Sequence, residues 1–424
     1  MTTRRDFLLG SLSAGAGTVL GSRLAPQWLQ AAGGSSTRKL VVIQISGGWD
    51  YFSQIIPVNS PQYYAARTTA GIGIADNDNV STLPISGSIP QKWSIALRAF
   101  KDLYDRGDLA VVNNVGYPSP NLSHPESTAR WLSGWTNLTQ FTDGWLGRYL
   151  RNGYTGGFQL PALDIEGAMS GAFSGYRVPV MRNPATFQFA YDTGTRNDNV
   201  LQAQLLHSNA LVLRPTAGPT LQVAASGIAS AVTDSALLQS TGASYTPRVT
   251  YPNSTLATDL RLAARYITAG LGTHVYYAST GGWDLHANLA VRGAGHTGTM
   301  ANLLTNVSSC VKAFLDDLAA YGVDQNVVVM VFSEFSRRFG ENGSSGVDHG
   351  HGGVVYLAGT PVVGGFYGTY PDLSVATTPY ANWYPTFGAT STDFRSIYAT
   401  ILERWLNVPS APLLGQQFPL LAAL

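Results

Sequence analysis

The stretch KLVVIQISGGWD, residues 39–50, decides the fold. Its apolar run is nearly continuous, which suits a strand buried on both faces, as in a parallel sheet covered by helices. Similar runs recur as DLAVVNNVG (108–116), THVYYAST (273–280), NVVVMVFS (326–333) and GVVYLAG (353–359). Helical patterns separate them: WSIALRAFKDLYDRG, TLATDLRLAARYITAGLG and GTMANLLTNVSSCVKAFLDDLAAYG lie between strands, and TDFRSIYATILERWLNV closes the chain. This alternation predicts an α/β fold, a central, mostly parallel sheet between helices. Between about residues 153 and 252 the pattern turns to Gly, Thr, Asn and Ala, which reads as an inserted helical or irregular cap region. Within it TLQVAASGIASAVTDSALLQS has helical spacing.

The first strand ends on Gly47-Gly48-Trp49-Asp50, and the same four residues, Gly281 to Asp284, follow the third strand. Glycines permit a sharp turn at a strand exit, and an aspartate there either caps a following helix or faces a cleft. In an open parallel sheet, ligands bind outside the carboxyl ends of the strands. The chemistry-bearing residues gather there. Asp50 follows the first run, and Ser123 and His124 follow the second within GYPSPNLSHPESTARW. Asp284 and His286 follow the third, Glu334 ends the fourth, and VDHGHGG places Asp348, His349 and His351 just before the fifth. His207, His274 and His296 read as helix, strand-start or surface residues.

Carboxylates and imidazoles in such a set bind divalent metal, Zn²⁺, Mn²⁺, Mg²⁺ or Ca²⁺, and two ions can clamp the attacking and leaving oxygens of an ester. Ser123 at a helix start is placed to be a nucleophile, because free N–H groups and the helix dipole favour an anion. Plainer readings exist for each residue. Ser123 can be an N-cap with Glu126 completing a capping box, and His124 can cap or pack. Glu334 can be neutralised by Arg337 or Arg338. The Asp348 to Gly353 loop is harder to read as structural, since three ionisable groups cannot cover an apolar core.

Composition limits the partners. Among 424 residues 45% are apolar and 11% aromatic, but only 12% are charged, and the net charge is +1. No excess of either sign draws the chain to nucleic acid or to anionic membranes. The sparse charge suits an exported protein. Residues 2–25, TTRRDFLLGSLSAGAGTVLGSRLA, set Arg4 and Arg5 before Phe7-Leu8 and a weakly apolar run, the pattern of a twin-arginine export signal. The expected organisation is a signal over 1–34 and a single domain over 38–424 carrying the insertion at about 153–252. The twin-arginine translocase becomes an expected partner, and the periplasm or exterior the expected location. The run is too short for a comfortable membrane span, so none is expected in the mature chain, although an uncleaved anchor stays open. Cys310 is the lone cysteine, so no intramolecular disulfide can form.

Taken together, the blocks LVVIQISGGWDYFSQIIP, AVVNNVGYPSPNLSHPES, STGGWDLHANL, VVVMVFSEFSRRFGENGSSGVDHGHGG, GGFYGTYPDL and TDFRSIYATILERWLNV resemble the exported proteins of the domain of unknown function 1501 family. That family is itself similar to the alkaline phosphatase and sulfatase superfamily. The resemblance implies metal ligands at Asp50, Asp284, His286 and Glu334 and at His349 or His351, with Ser123 as nucleophile and His124 or Asp348 assisting. It also implies departures. The superfamily commonly has Asp-His where this chain has Glu334-Phe335, so one metal site loses a histidine and one ion is as well supported as two. The resulting expectation is an exported metal-dependent hydrolase of phosphate or sulfate esters, acting on a small-molecule or glycan ester. The alternative is a non-catalytic envelope or secreted binding protein that retains the fold.

Overall fold

Lys39–Ile45 forms strand β1, and its side chains divide between two cores: Val41, Ile43 and Ile45 enter one, Leu40 and Val42 the other. That division is the period of two of a strand packed on both faces, and it explains the unbroken apolar run. The computed structural model describes residues 37–69, 71–85, 90–140, 143–187, 218, 220 and 233–424. The expected twin-arginine signal, His207 and most of the stretch 220–240 lie outside the described residues, although 233–240 is helical.

The remaining strands of the central sheet are β2 (Leu109–Gly116), β3 (Ala162–Asp164), β4 (Val275–Thr280), β5 (Val327–Ser333), β6 (Gly353–Ala358), β7 (Gly365–Tyr367) and β8 (Thr392–Asp393). They run in the order β7-β2-β6-β5-β1-β4-β3, with β8 also paired to β2. All neighbours are parallel except β6, which is antiparallel to both β2 and β5. The sheet is thus mostly parallel, as expected, but the run at 353–359 goes the other way. The segment expected only as an insertion supplies β3, an edge strand on β4.

The helices that bear on the sheet and its strand exits are α1 (Arg98–Asp105), α2 (His124–Ser133), α3 (Thr255–Thr268), α4 (Thr299–Tyr321) and α5 (Phe394–Thr400). The first, third and fourth cover one face of the sheet, with α4 packed on both α1 and α3. Trp131 of α2 and Phe394, Ile397 and Tyr398 of α5 cover the other. Among the described residues no helix is long and apolar enough to cross a membrane.

The direction of β6 has a local consequence. β1, β2, β4 and β5 all end at one edge of the sheet, and β6 begins there. The loop before β6 therefore joins the loops after the other four. A two-residue ribbon, Ser336–Arg337 against His349–Gly350, pins it in place with His349 opposite Arg337.

Candidate metal centre

The parallel register pairs Ile45 of β1 with Thr280 of β4 and with Ser333 of β5, so the three strand exits lie side by side. Gly47 is what lets them close up. Its φ is +124°, and a Cβ there would sit 2.7 Å from Asp284 N, so only glycine fits the turn. Beneath the two turns Trp49 and Trp283, both buried, meet edge to face at 6.0 Å. The repeated Gly-Gly-Trp-Asp is therefore one packed unit rather than two separate turns.

Asp284 is the focus of the cluster. Its Oδ1 lies 3.0 Å from His286 Nε2, 3.3 Å from His349 Nε2 and 3.4 Å from His124 Nε2, and accepts a hydrogen bond from Arg337 Nη2 at 2.7 Å. Ligand atoms of His124, Asp284 and His349 all lie within 4.8 Å of one another. In a tetrahedral site with bonds of about 2.0–2.2 Å, donors stand roughly 3.3–3.5 Å apart, so these spacings suit one ion.

Each imidazole is anchored through its other nitrogen. His124 Nδ1 meets Glu334 Oε1 at 2.7 Å, His286 Nδ1 meets Asp348 Oδ1 at 2.8 Å, and His349 Nδ1 meets Leu122 O at 2.7 Å. Such a partner holds the ring's orientation and leaves the Nε2 lone pair free for a metal. His124 Nε2 is buried and makes no hydrogen bond to a described residue, which is costly unless something binds it. The acceptors are themselves fixed. Glu334 Oε1 takes the Gly47 N–H at 2.9 Å, its Oε2 lies 3.0 Å from Ser333 Oγ, and Asn342 Nδ2 donates to Asp348 Oδ1 at 3.0 Å.

The electrostatics follow from these partners. The hydrogen bond to Glu334 raises the pKa of His124 despite partial desolvation. Burial pushes the Asp284 carboxyl up, but the Arg337 hydrogen bond and charge and the nearby imidazoles outweigh it and bring the carboxyl down to about 2. Burial lowers His349, whereas Asp348 is lowered by Asn342 and His286 against its own desolvation.

Other expectations resolve differently. Asp50 does not face the cluster. It is fully buried, and its carboxylate accepts from Arg67 Nη1 at 2.6 Å and Nη2 at 2.9 Å, with Ser53 Oγ at 2.5 Å. The reason is that Arg67, also fully buried, needs a counter-charge. His351 is also apart: it is buried over Gly116 against Tyr117 and Phe387, and burial drops its pKa to about 4. Neither repeated aspartate is a side-chain cap, since Asp50 makes no cap bond to the short turn Tyr51–Ser53 and no helix follows Asp284 directly. Ser123 is the exposed N-cap residue of α2, but its side chain makes no cap bond, and Glu126 bonds Asn121 and Arg130 instead. Its chain neighbours on both sides touch the cluster, Leu122 through its carbonyl and His124 through its ring.

Glu334 is not neutralised by the arginines that follow it. Arg337 turns to Asp284, and Arg338 donates to His349 O at 3.1 Å. The parts that sequence reasoning missed are the partners: Arg67, Asn342 and the Leu122 carbonyl carry no local signal because each meets its target only through the fold.

No curated protein matches this sequence. Among solved structures, the chain aligns with the lipoteichoic acid synthase LtaP from Listeria monocytogenes at 8% identity and a TM-score of 0.34, covering 84% of this chain and 72% of that one. It aligns with a sulfatase from Pseudoalteromonas sp. at 11% identity and a TM-score of 0.35, covering 92% and 70%. With the alkaline phosphatase from the Antarctic bacterium TAB5 the values are 9% and 0.30, covering 77% and 91%. The family match begins beyond Asp50, Ser123 and His124. Residues 226–409, which supply Asp284, His286, Glu334, Arg337, Asp348 and His349, match the model of the family described as "Protein of unknown function (DUF1501)".

Proposed function

We propose that this chain is an exported, metal-dependent hydrolase of phosphate or sulfate esters, with a metal ion held by His124, Asp284 and His349 beside His286. One observation carries the reading: three imidazole Nε2 atoms, each with its Nδ1 anchored, converge on a single carboxylate oxygen. A bound divalent ion supplies positive charge against the ester's oxygens. The chain's own residues do the rest. Ser123 Oγ, free of any cap bond at the start of α2, attacks the phosphorus or sulfur as the bond to the ester's alcohol breaks and the alcohol leaves, and water then displaces the serine oxygen to release phosphate or sulfate. The first N–H groups of α2 orient the anionic substrate. The half-exposed His286, with Asp348 behind it, holds or delivers a proton at Nε2. Substrates in this reading are small-molecule or glycan esters. The pair Arg4-Arg5 addresses the chain to the twin-arginine translocase and so to the periplasm or exterior.

A binding protein that keeps the fold without turnover is the second reading, and one observation favours it: Asp50 and Asp284 each already have an arginine partner. The test is elemental analysis of the purified mature chain together with hydrolysis of aryl phosphate and aryl sulfate. Retained metal and turnover that vanishes in Ser123→Ala, with metal content unchanged, are expected. Metal without any turnover points to the binding protein, and absence of metal removes the hydrolase reading. Export is checked by fractionating cells that carry Arg4→Lys and Arg5→Lys together, in which the chain should stay in the cytoplasm.

A further inference from the structure

Both Gly-Gly-Trp-Asp turns end on a carboxylate that meets a fully buried guanidinium. Arg67 grips Asp50 with two nitrogens, and its Nε donates to Phe339 O at 2.8 Å. Arg337 spans both turns. Its Nε donates to Gly48 O at 2.5 Å, its Nη1 to Val347 O at 3.2 Å, and its Nη2 to Gly47 O and to Asp284 Oδ1. A planar guanidinium with N–H groups on so many oxygens is sated as a donor.

A metal pair needs something else. Two ions about 3.5–4 Å apart require carboxylates with free lone pairs aimed at each ion. The first turn's carboxylate is spent on Arg67, and the carbonyl-rich gap between the turns is filled by Arg337. What remains, His124 Nε2, His349 Nε2 and Asp284, has its ligand atoms within 4.8 Å of one another and is a ligand set for one ion, with His286 Nε2 beside it at 2.9 Å from His349 Nε2. Resting on the metal-binding reading above, we propose that the centre takes a single ion, that Arg67 withdraws Asp50 from the ligand set, and that Arg337 supplies, as a fixed side chain on Asp284, the positive charge a second ion would bring. Arg337 is then a positioning residue as well, since it and the metal share Asp284.

The test is a Co²⁺ titration of the chelator-stripped mature chain, followed by visible absorption, with bound metal counted after desalting. An end point at one equivalent is expected, and one at two equivalents overturns the proposal while leaving the metal reading intact. No uptake overturns both. Asp50→Asn, checked by circular dichroism for a native fold, should keep the one-equivalent end point; loss of uptake in a folded Asp50→Asn would make Asp50 a ligand and end the proposal. Arg337→Lys should keep one equivalent with a shifted cobalt spectrum, because lysine cannot hold Asp284 and both glycine carbonyls at once. An unchanged spectrum removes the role of Arg337. If Arg337→Lys does not fold, the wild-type end point and Asp50→Asn still decide the matter.

Discussion

Glu334, expected as a metal ligand, is turned to the Nδ1 side of the His124 ring, where it anchors the imidazole of the candidate centre. It is 1% exposed, and its Oε1 anchors both His124 Nδ1 and the Gly47 N–H. In Glu334→Gln the amide can still accept one bond but no longer carries the charge that favours the anchored ring. Metal affinity should fall about 10–100-fold, the usual cost of losing such a partner, as read by competition with a chromogenic chelator. Asp50→Asn acts on stability instead. It leaves Arg67 buried without a counter-charge, and breaking a buried pair from one side costs about 3–5 kcal/mol, to be measured by urea denaturation. The two aspartates of one repeated motif thus have different fates. Nothing in Gly-Gly-Trp-Asp distinguishes them, because Arg67 lies 17 residues from Asp50 and Arg337 lies 53 from Asp284.

At the scale of elements, the exits of β1 and β4 close on each other through Gly47. Gly47→Ala forces a side chain into a positive φ and into the Asp284 backbone, so it should destabilise by more than about 1 kcal/mol. Gly157→Ala, where a Cβ meets nothing within 4 Å, is the control and should be nearly neutral in the same denaturation experiment. At the other end of the sheet's order, β3 ends on Asp164, whose carboxyl burial raises to about 7. A carboxyl raised in the folded state binds its proton more tightly there than in the unfolded chain. Its contribution is therefore fully present below the unfolded value near 4 and is lost as pH rises through about 7. His274 and His351, lowered by burial to about 4, act in the opposite direction over this range, so the reading is a difference: the stability of wild type relative to Asp164→Asn should fall from pH 5 to pH 8, as followed by urea denaturation. Glu166 and Asp259 are raised in the same direction by burial and are present in both proteins.

For the whole molecule, the cluster joins the loops after β2, β4 and β5 to the loop before β6. An ion held by His124, Asp284 and His349 bridges three of these loops, so it binds the folded chain and not the unfolded one. Stripping the metal should lower the thermal midpoint, and adding it back at 100 times its dissociation constant should restore about 2.7 kcal/mol. Differential scanning calorimetry with and without chelator checks this. An unchanged midpoint would mean that the imidazoles converge for another reason.

The amino-acid sequence by itself determined the five longest strands of the central sheet, the α/β class and the set of residues from which the centre is drawn. Apolar runs of the right length and Gly-rich exits are local signals, and acids and histidines that cannot cover a core must lie at strand ends. His124, Asp284, His286, Glu334, Asp348 and His349 were legible on that ground, and the structure brings them together. Only the tertiary structure decided that β6 runs antiparallel, without which the Asp348-His349 loop would sit at the opposite edge of the sheet. It alone decided that Asp50 turns to Arg67, that His351 is buried over Gly116, and that Arg337 lies between the two tryptophan turns. For the two aspartates and their arginines the physical reason is the same. A buried charge is satisfied by whichever opposite charge the fold brings within about 3 Å, and that distance is set by strand direction and register, which local sequence does not encode.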